Sequence, residues 1–390
     1  MARAPFNHGL FSVISLTFVS LLGFPVISPA LPSVQAALGI STQNVGWIMA
    51  AYSLPGLIFM PIVGLFADRF GKRRVIVPSL VLFSLAGSAC ALAPDQETLF
   101  VLRFIQGIGA CALSALNVAL VGDFFTGHNR VRVMGFVGAT QNVGSGLLPL
   151  LGGTLAAIAW FYPFLVSLLG IPLGLYLLFA TENSPPLKKK ETRAFLGHAW
   201  NNLMDRRILA LIFMTVGFIF VGFGAFVTYL PVFMKDQFAA AEVLIGFILS
   251  SRAASGALLA TQLGRIVQLL SYRFLISVSF LVLAIGMVAV TFISSPWALI
   301  FTAVCYGGSF GIVRPSLQVL LLDGAPEDLR GTFSSANSFG LRLAQTISPV
   351  AAGAFLAIGT FDQLYILAAI LSVLMAIFAM TSIALRPSDS

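Results

Sequence analysis

Four arginines, Arg103, Arg252, Arg314 and Arg342, fall inside long runs of apolar residues, and Arg252 and Arg342 lie near the middle of theirs. A charge in such a setting is expensive and marks a functional candidate. All fourteen acids, by contrast, fall at the ends of these runs or between them. Arginine keeps its proton in essentially any site, so none of the four can take up and release one. Proton-coupling candidates reduce to Asp68, Asp123 and Asp323, each also suited to helix capping or pairing with a basic residue. Guanidinium groups without matching carboxylates favour anions or strong hydrogen-bond acceptors. Asn117, Gln141, Asn142, Gln262, Gln318, Asn337 and Gln345 supply neutral polar partners, and Phe226 and Tyr229 supply apolar walls. The expected ligand is a neutral or anionic amphiphile rather than a lipophilic cation. The competing expectation for each arginine is structural: it pairs with backbone carbonyls or snorkels to an interface.

The elements that must position these residues follow from composition. Of 390 residues, 58% are hydrophobic and only 9% charged, with a mean hydropathy of +0.97. A soluble domain carries roughly 25% charged residues, so too few remain here to cover a water-facing surface. Crossing a bilayer core takes about 20 mostly apolar residues as a helix, and unpaired backbone is not tolerated there. The runs exceed the ten-residue alternating strands of a membrane barrel, so the fold class expected is an all-α membrane protein of twelve transmembrane helices. The spans fall near 9–32, 43–66, 75–94, 98–122, 133–157, 162–181, 208–234, 243–264, 274–294, 297–322, 332–358 and 362–384.

The formal net charge of +8 is a topology signal. Arg69, Lys72, Arg73, Arg74, Arg130, Arg132, Arg273 and Arg330 fall in loops on the side of the N-terminus, whereas Lys235 stands on the other. Basic residues stay in the cytoplasm, so both termini are expected there, in a plasma membrane that is a bacterial inner membrane. The basic residues would also meet anionic lipid, and nucleic acid is not an expected partner. Cys90, Cys111 and Cys305 lie inside apolar runs and read as small buried hydrophobes. His8, His128 and His198 form no metal-ligand pattern, and no phosphate-binding loop is present. No cofactor, no metal and no enzymatic activity are therefore expected.

The two halves of the chain match at an offset of 200 residues: Gly64 meets Gly264, Arg73 meets Arg273, Asp123 meets Asp323, Arg130 meets Arg330, Pro149 meets Pro349 and Gly153 meets Gly353. Residues 1–181 and 208–390 are thus expected to form two pseudo-symmetric six-helix bundles. Residues 182–207 would be a cytoplasmic linker, with an amphipathic helix from Phe195 to Leu203. Parallel repeats of this kind imply a substrate path near the bilayer midplane.

Three motifs carry a family resemblance. Gly64-Leu65-Phe66-Ala67-Asp68-Arg69-Phe70-Gly71-Lys72-Arg73-Arg74 resembles the loop signature of the major facilitator superfamily. The resemblance implies a conformational latch formed by Gly64, Asp68, Arg69, Gly71 and Arg73, with Gly64 allowing close helix approach and Gly71 a tight turn. In the second copy Gln268 replaces the acid and Ser271 the glycine. Leu99-x-x-x-Arg103-x-x-Gln106-Gly107-x-Gly109-Ala110 is similar to a signature of proton-coupled members, which implies a link between Arg103 and proton transfer. Gly135, Gly144 and then Pro149-Leu150-Leu151-Gly152-Gly153 resemble the pattern tied to export, departing from it at Leu148. The chain is similar to the twelve-span drug:proton antiporters, which implies a monomeric exporter of small amphiphilic molecules coupled to protons. Unlike the pumps for cationic drugs, span one holds no acid and span seven only Asp236, at its outer end. An exporter or uncoupled facilitator for a sugar, a lipid-like molecule or a siderophore is the alternative expectation.

Overall fold

The apolar runs fold as helices throughout a computed structural model that describes residues 6–180, 205–324 and 329–382. In chain order these are α1 (Phe6–Leu21), α2 (Leu31–Leu38), α3 (Val45–Phe70), α4 (Lys72–Ala89), α5 (Gln96–Phe124), α6 (Gly127–Ile158), α7 (Tyr162–Leu165) and α8 (Gly170–Ala180). They continue with α9 (Arg206–Val221), α10 (Leu230–Phe238), α11 (Glu242–Ile266), α12 (Tyr272–Val290), α13 (Leu299–Asp323), α14 (Arg330–Leu356) and α15 (Phe361–Thr381). Among the described residues they make twelve spans. α1 and α2 belong to one span, α7 and α8 to another, and α9 and α10 are joined by a π-helical stretch, Gly222–Tyr229, into a third. Among the described residues, seven spans are long and apolar enough to cross a membrane by length and composition alone. α6 and α14 do not reach that apolarity, and both carry the glycines, prolines and amides noted in the sequence.

The repeat is visible in the elements. α3 to α6 begin at residues 45, 72, 96 and 127, and α11 to α14 at 242, 272, 299 and 330, close to the offset of 200. Pro149 lies inside α6 and Pro349 inside α14. The chain divides into two compact units, Met1–Lys188 with Ala241–Ser250, and Lys189–Ala240 with Ser251–Ser390. The start of α11 therefore packs with the first unit. The expected linker helix from Phe195 to Leu203 lies outside the described residues.

In the first unit α3 and α4 pack on α5, and α1 lies against α5 and α6. In the second, α12 packs between α13 and α15, and α9 with its π-helical stretch lies along α14. Helix ends are capped locally. Asp95 caps α5, accepting the Thr98 backbone N–H at 2.8 Å, and that bond holds its carboxyl below the usual carboxylate range. The cap is thus complete above the ordinary carboxylate range and is lost as pH falls through the lowered value.

The first span, expected near residues 9–32, is interrupted: α1 stops at Leu21 and turns run to Ile27. Gly23 and Pro25 are the reason. Proline has no N–H to continue the ladder and disfavours a helical residue before it. Pro29 and Pro32 then sit in first-turn positions of the short helices that follow, where proline is tolerated.

Candidate functional site

Breaking a helix inside an apolar environment leaves carbonyls that must find donors. Arg103 supplies them in the first unit. Its Nη2 donates to the Gly23 carbonyl at 2.8 Å, its Nε to the Ile48 carbonyl at 3.2 Å, and its Nη1 to Gln106 Oε1 at 2.7 Å. Gln106 Nε2 donates in turn to Ser167 Oγ at 2.9 Å. The guanidinium carbon stands 4.3 Å from the Tyr52 ring centroid, and Arg103 has no exposed surface. A ligand would reach it only by displacing these acceptors. The clamp ties the break in the first span to α3, to α5 and, through Ser167, to the turn between α7 and α8.

The export-type glycines form a backbone seam in the same unit. A Cβ on Gly152 would strike the Val26 carbonyl, one on Gly153 the Glu242 carbonyl, and one on Gly246 the Pro149 carbonyl. Gly144 is closed by the Leu21 side chain, with 2.7 Å to its Cδ1. Gly135 faces open space. Ser33 Oγ donates to Glu242 Oε1 at 2.8 Å beside this seam.

The loop between α3 and α4 is a sharp corner. Gly71 joins α3 to α4 at φ +89°, a region that favours glycine. Lys72 Nζ pairs with Asp123 Oδ2 at 2.6 Å and also donates to the Ala119 carbonyl at 3.2 Å. Arg73 Nη2 donates to the Leu178 carbonyl in the last turn of α8, where the helix dipole favours a cation. Arg69 is exposed beside the Phe70 ring. Among the described residues, Gly64 has no neighbour within 4 Å of a Cβ position. The side chain of Asp68 lies outside the described residues. In the second copy Ser271 sits at φ −66° and caps α12, its Oγ accepting the Phe274 N–H at 3.3 Å. An Asp123→Asn variant is expected to lose no more than about 1 kcal/mol, as partly exposed pairs do, read as a small fall in the midpoint of thermal unfolding.

The second unit gathers the other three arginines. Tyr306, Phe310 and Arg314 recur every fourth residue on one face of α13. α11 lies directly on that helix: a Cβ at Gly307 would strike the Arg252 carbonyl, and one at Gly311 the Gly256 carbonyl. This contact sets the Arg252 guanidinium 5.7 Å from the Tyr306 ring and 6.0 Å from the Phe310 ring. Arg314 stands 5.3 Å from the same Phe310 ring and is close enough to Arg252 and Arg342 to feel both charges. Tyr306 is backed by Phe226 at 4.7 Å and Phe218 at 5.9 Å. Arg314 lies deep among the helices yet keeps accessible surface.

The remaining candidates scatter. Asn117 is buried and donates to Thr17 Oγ1 at 2.7 Å, leaving its Oδ1 without a partner. Gln141 and Asn142 are exposed on α6. Tyr229 and Phe226 are fully buried in the π-helical stretch. Gln318 and Asn337 hydrogen-bond to each other at 3.3 Å, and Gln262 accepts from Arg265 at 3.4 Å. Gln345, one turn beyond Arg342 on α14, has a buried Oε1 without a partner. Asp323 is exposed at the end of α13. Among the described residues no cluster of His, Cys, Asp and Glu would hold a metal. Sequence reasoning missed the rings of Tyr306 and Phe310, although their four-residue spacing with Arg314 was the signal. It also missed Tyr52 and the Ser33–Glu242 bond.

Comparison with known proteins agrees with this architecture. The sequence model of the Major Facilitator Superfamily matches residues 13–349 and 233–390. Quinolone resistance protein NorA of Staphylococcus aureus is 24% identical over 361 residues, covering 89% of this chain and 90% of that protein. Multidrug transporter protein MdtP of Bacillus subtilis is 31% identical over 159 residues, 40% of this chain, and the match spans only 29% of its length. A solved bacterial homolog of the human lysosomal transporter Spinster superposes with a TM-score of 0.80 at 14% identity, covering 100% of both chains.

Proposed function

The chain belongs to the Major Facilitator Superfamily, and from that premise we propose that it is a secondary active exporter of small amphiphilic molecules, working by proton antiport and alternating access. It is an integral membrane protein, and its curated relatives include multidrug resistance transporters. The observation that carries the export reading is the glycine seam: Gly144, Gly152 and Gly153 hold α6 against the broken first span and the start of α11, and these glycines belong to the segment that resembles the export pattern. The likeness to a quinolone resistance protein over 89% of the chain supports drug-like substrates. Both termini are assigned to the cytoplasm of a bacterial inner membrane on the strength of the basic loops, and the protein works as a monomer.

A second reading is export or uncoupled facilitation of an endogenous neutral or anionic metabolite. It is favoured by the lack of any acid in the middle of a span. Everted membrane vesicles holding a preset pH gradient separate the two readings. Proton release from the vesicle lumen on adding substrate supports antiport. Substrate movement that is indifferent to the gradient supports the facilitator. Asp68→Asn is expected to lower the transport rate at least several-fold while expression stays intact, and unchanged kinetics would remove the latch from the mechanism.

A further inference from the structure

We propose that Arg252, Arg314 and Arg342 form an anion-binding site within the second unit, which takes an organic anion: a carboxylate, sulfonate or phosphate group carried on a flat apolar body. This deepens the transport reading by naming the charge class of the substrate, and it rests on that reading for its purpose though not for the binding itself.

The case starts from a contrast between arginines. Arg103 is also buried, but its donors all meet carbonyl or amide oxygens. Among the described residues, no oxygen of the protein accepts from the guanidinium groups of Arg252 or Arg314, whose contacts are ring faces. A guanidinium stacked on a ring still presents its in-plane N–H donors at its edge, in the fork that matches a carboxylate or phosphate. Arg342 adds a third positive charge within electrostatic reach of Arg314. No acid stands in the middle of any span to neutralise the three. A ligand anion would offset this positive charge and supply the acceptors that Arg252 and Arg314 lack.

The apolar half of the ligand has a surface as well. Phe310 has both guanidinium groups within 6.0 Å of its ring centroid and is half-buried, so part of its side chain is open to an apolar partner. Arg314 keeps accessible surface, so its donors are open to a ligand rather than sealed in packing. The Gln345 Oε1, buried without a partner one turn from Arg342, would accept from a hydroxyl or amide N–H on the same ligand.

The test measures binding of three matched probes, 2-naphthoate, 2-naphthamide and 2-naphthylmethylammonium, to the full-length protein in zwitterionic lipid nanodiscs by equilibrium dialysis. Naphthoate is expected to bind at least tenfold more tightly than the amide, and the ammonium not at all. Arg252→Gln and Arg314→Gln should each remove that preference, with Arg314→Lys restoring part of it. Arg265→Gln, which removes a charge from the exposed end of the same α11, should change nothing. Monodisperse elution of each variant separates lost binding from lost folding. Displacement of naphthoate by anionic lipid in the disc identifies a lipid headgroup as the occupant, and absence of displacement identifies a soluble anion; both keep the site. No naphthoate binding at millimolar concentration, or equal binding of all three probes, overturns it. Naphthoate binding with no transport of any probe in the vesicle assay would sink the exporter reading and leave the site standing. Transport of cations without naphthoate binding would do the reverse.

Discussion

Replacing Arg103 with leucine is expected to destabilise the first unit by about 3 kcal/mol, because it strands the Gly23 carbonyl and the Gln106 Oε1 in an apolar interior. Leucine fills part of the volume, so cavity formation is the smaller term. The larger one is desolvated acceptors that neither water nor another donor reaches. Arg103→Lys should recover only a fraction of the loss, since one ammonium cannot address three acceptors arranged around a planar fork. Thermal unfolding followed by circular dichroism in detergent checks both variants. A leucine variant that melts with the unaltered protein would show that the break after Leu21 is held by something other than the clamp. The resemblance also implied a tie between this arginine and proton transfer. Because arginine does not release its proton, any such effect would come through the geometry of the first span, and it would appear as lost coupling in a variant that still folds.

Gly153→Leu is expected to lower transport at least tenfold, whereas Gly135→Leu should stay within a factor of two. Both glycines belong to the same export-type segment of α6, and both replacements improve intrinsic helix propensity by about 1 kcal/mol. They differ in surroundings. A side chain on Gly153 meets the backbone at Glu242 and Gly246, and one on Gly135 meets nothing within 4 Å. A leucine at Gly153 must push the start of α11 away from α6, and backbone yields less readily than a flexible side chain. Substrate efflux from proteoliposomes containing equal amounts of folded protein decides it. Equal activity of the two variants would mean that the seam is packing without function.

The spans were legible because twenty apolar residues in a row have one solution in a bilayer. The repeat was legible because equivalent helix ends conserve the same turn and charge residues at a fixed spacing within the chain. The break in the first span was signalled by Gly23 and Pro25 but hidden by the apolarity around them, since hydropathy averages over the residues that interrupt a helix. Arg103 was legible as a buried charge and not as a clamp. Its partners are mostly main-chain oxygens, which every residue has and no motif names.

What the sequence alone settled here is therefore the set of things that depend on local runs and their order: an all-helical membrane protein, twelve spans, two repeats and the identity of the buried charges. Only the tertiary structure decided what each charge does. Arg103 turns to main-chain carbonyls and the Gln106 amide, while Arg252 and Arg314 come from two different helices to the Phe310 ring. The physical reason is that the use of a buried charge depends on which acceptors stand within about 3 Å of it, and residues scores of positions apart reach that distance only through packing. The close crossing of Gly256 with Gly307 and Gly311 brought Arg252 to Tyr306, and nothing in the spacing of arginines along the chain could have told it apart from Arg103.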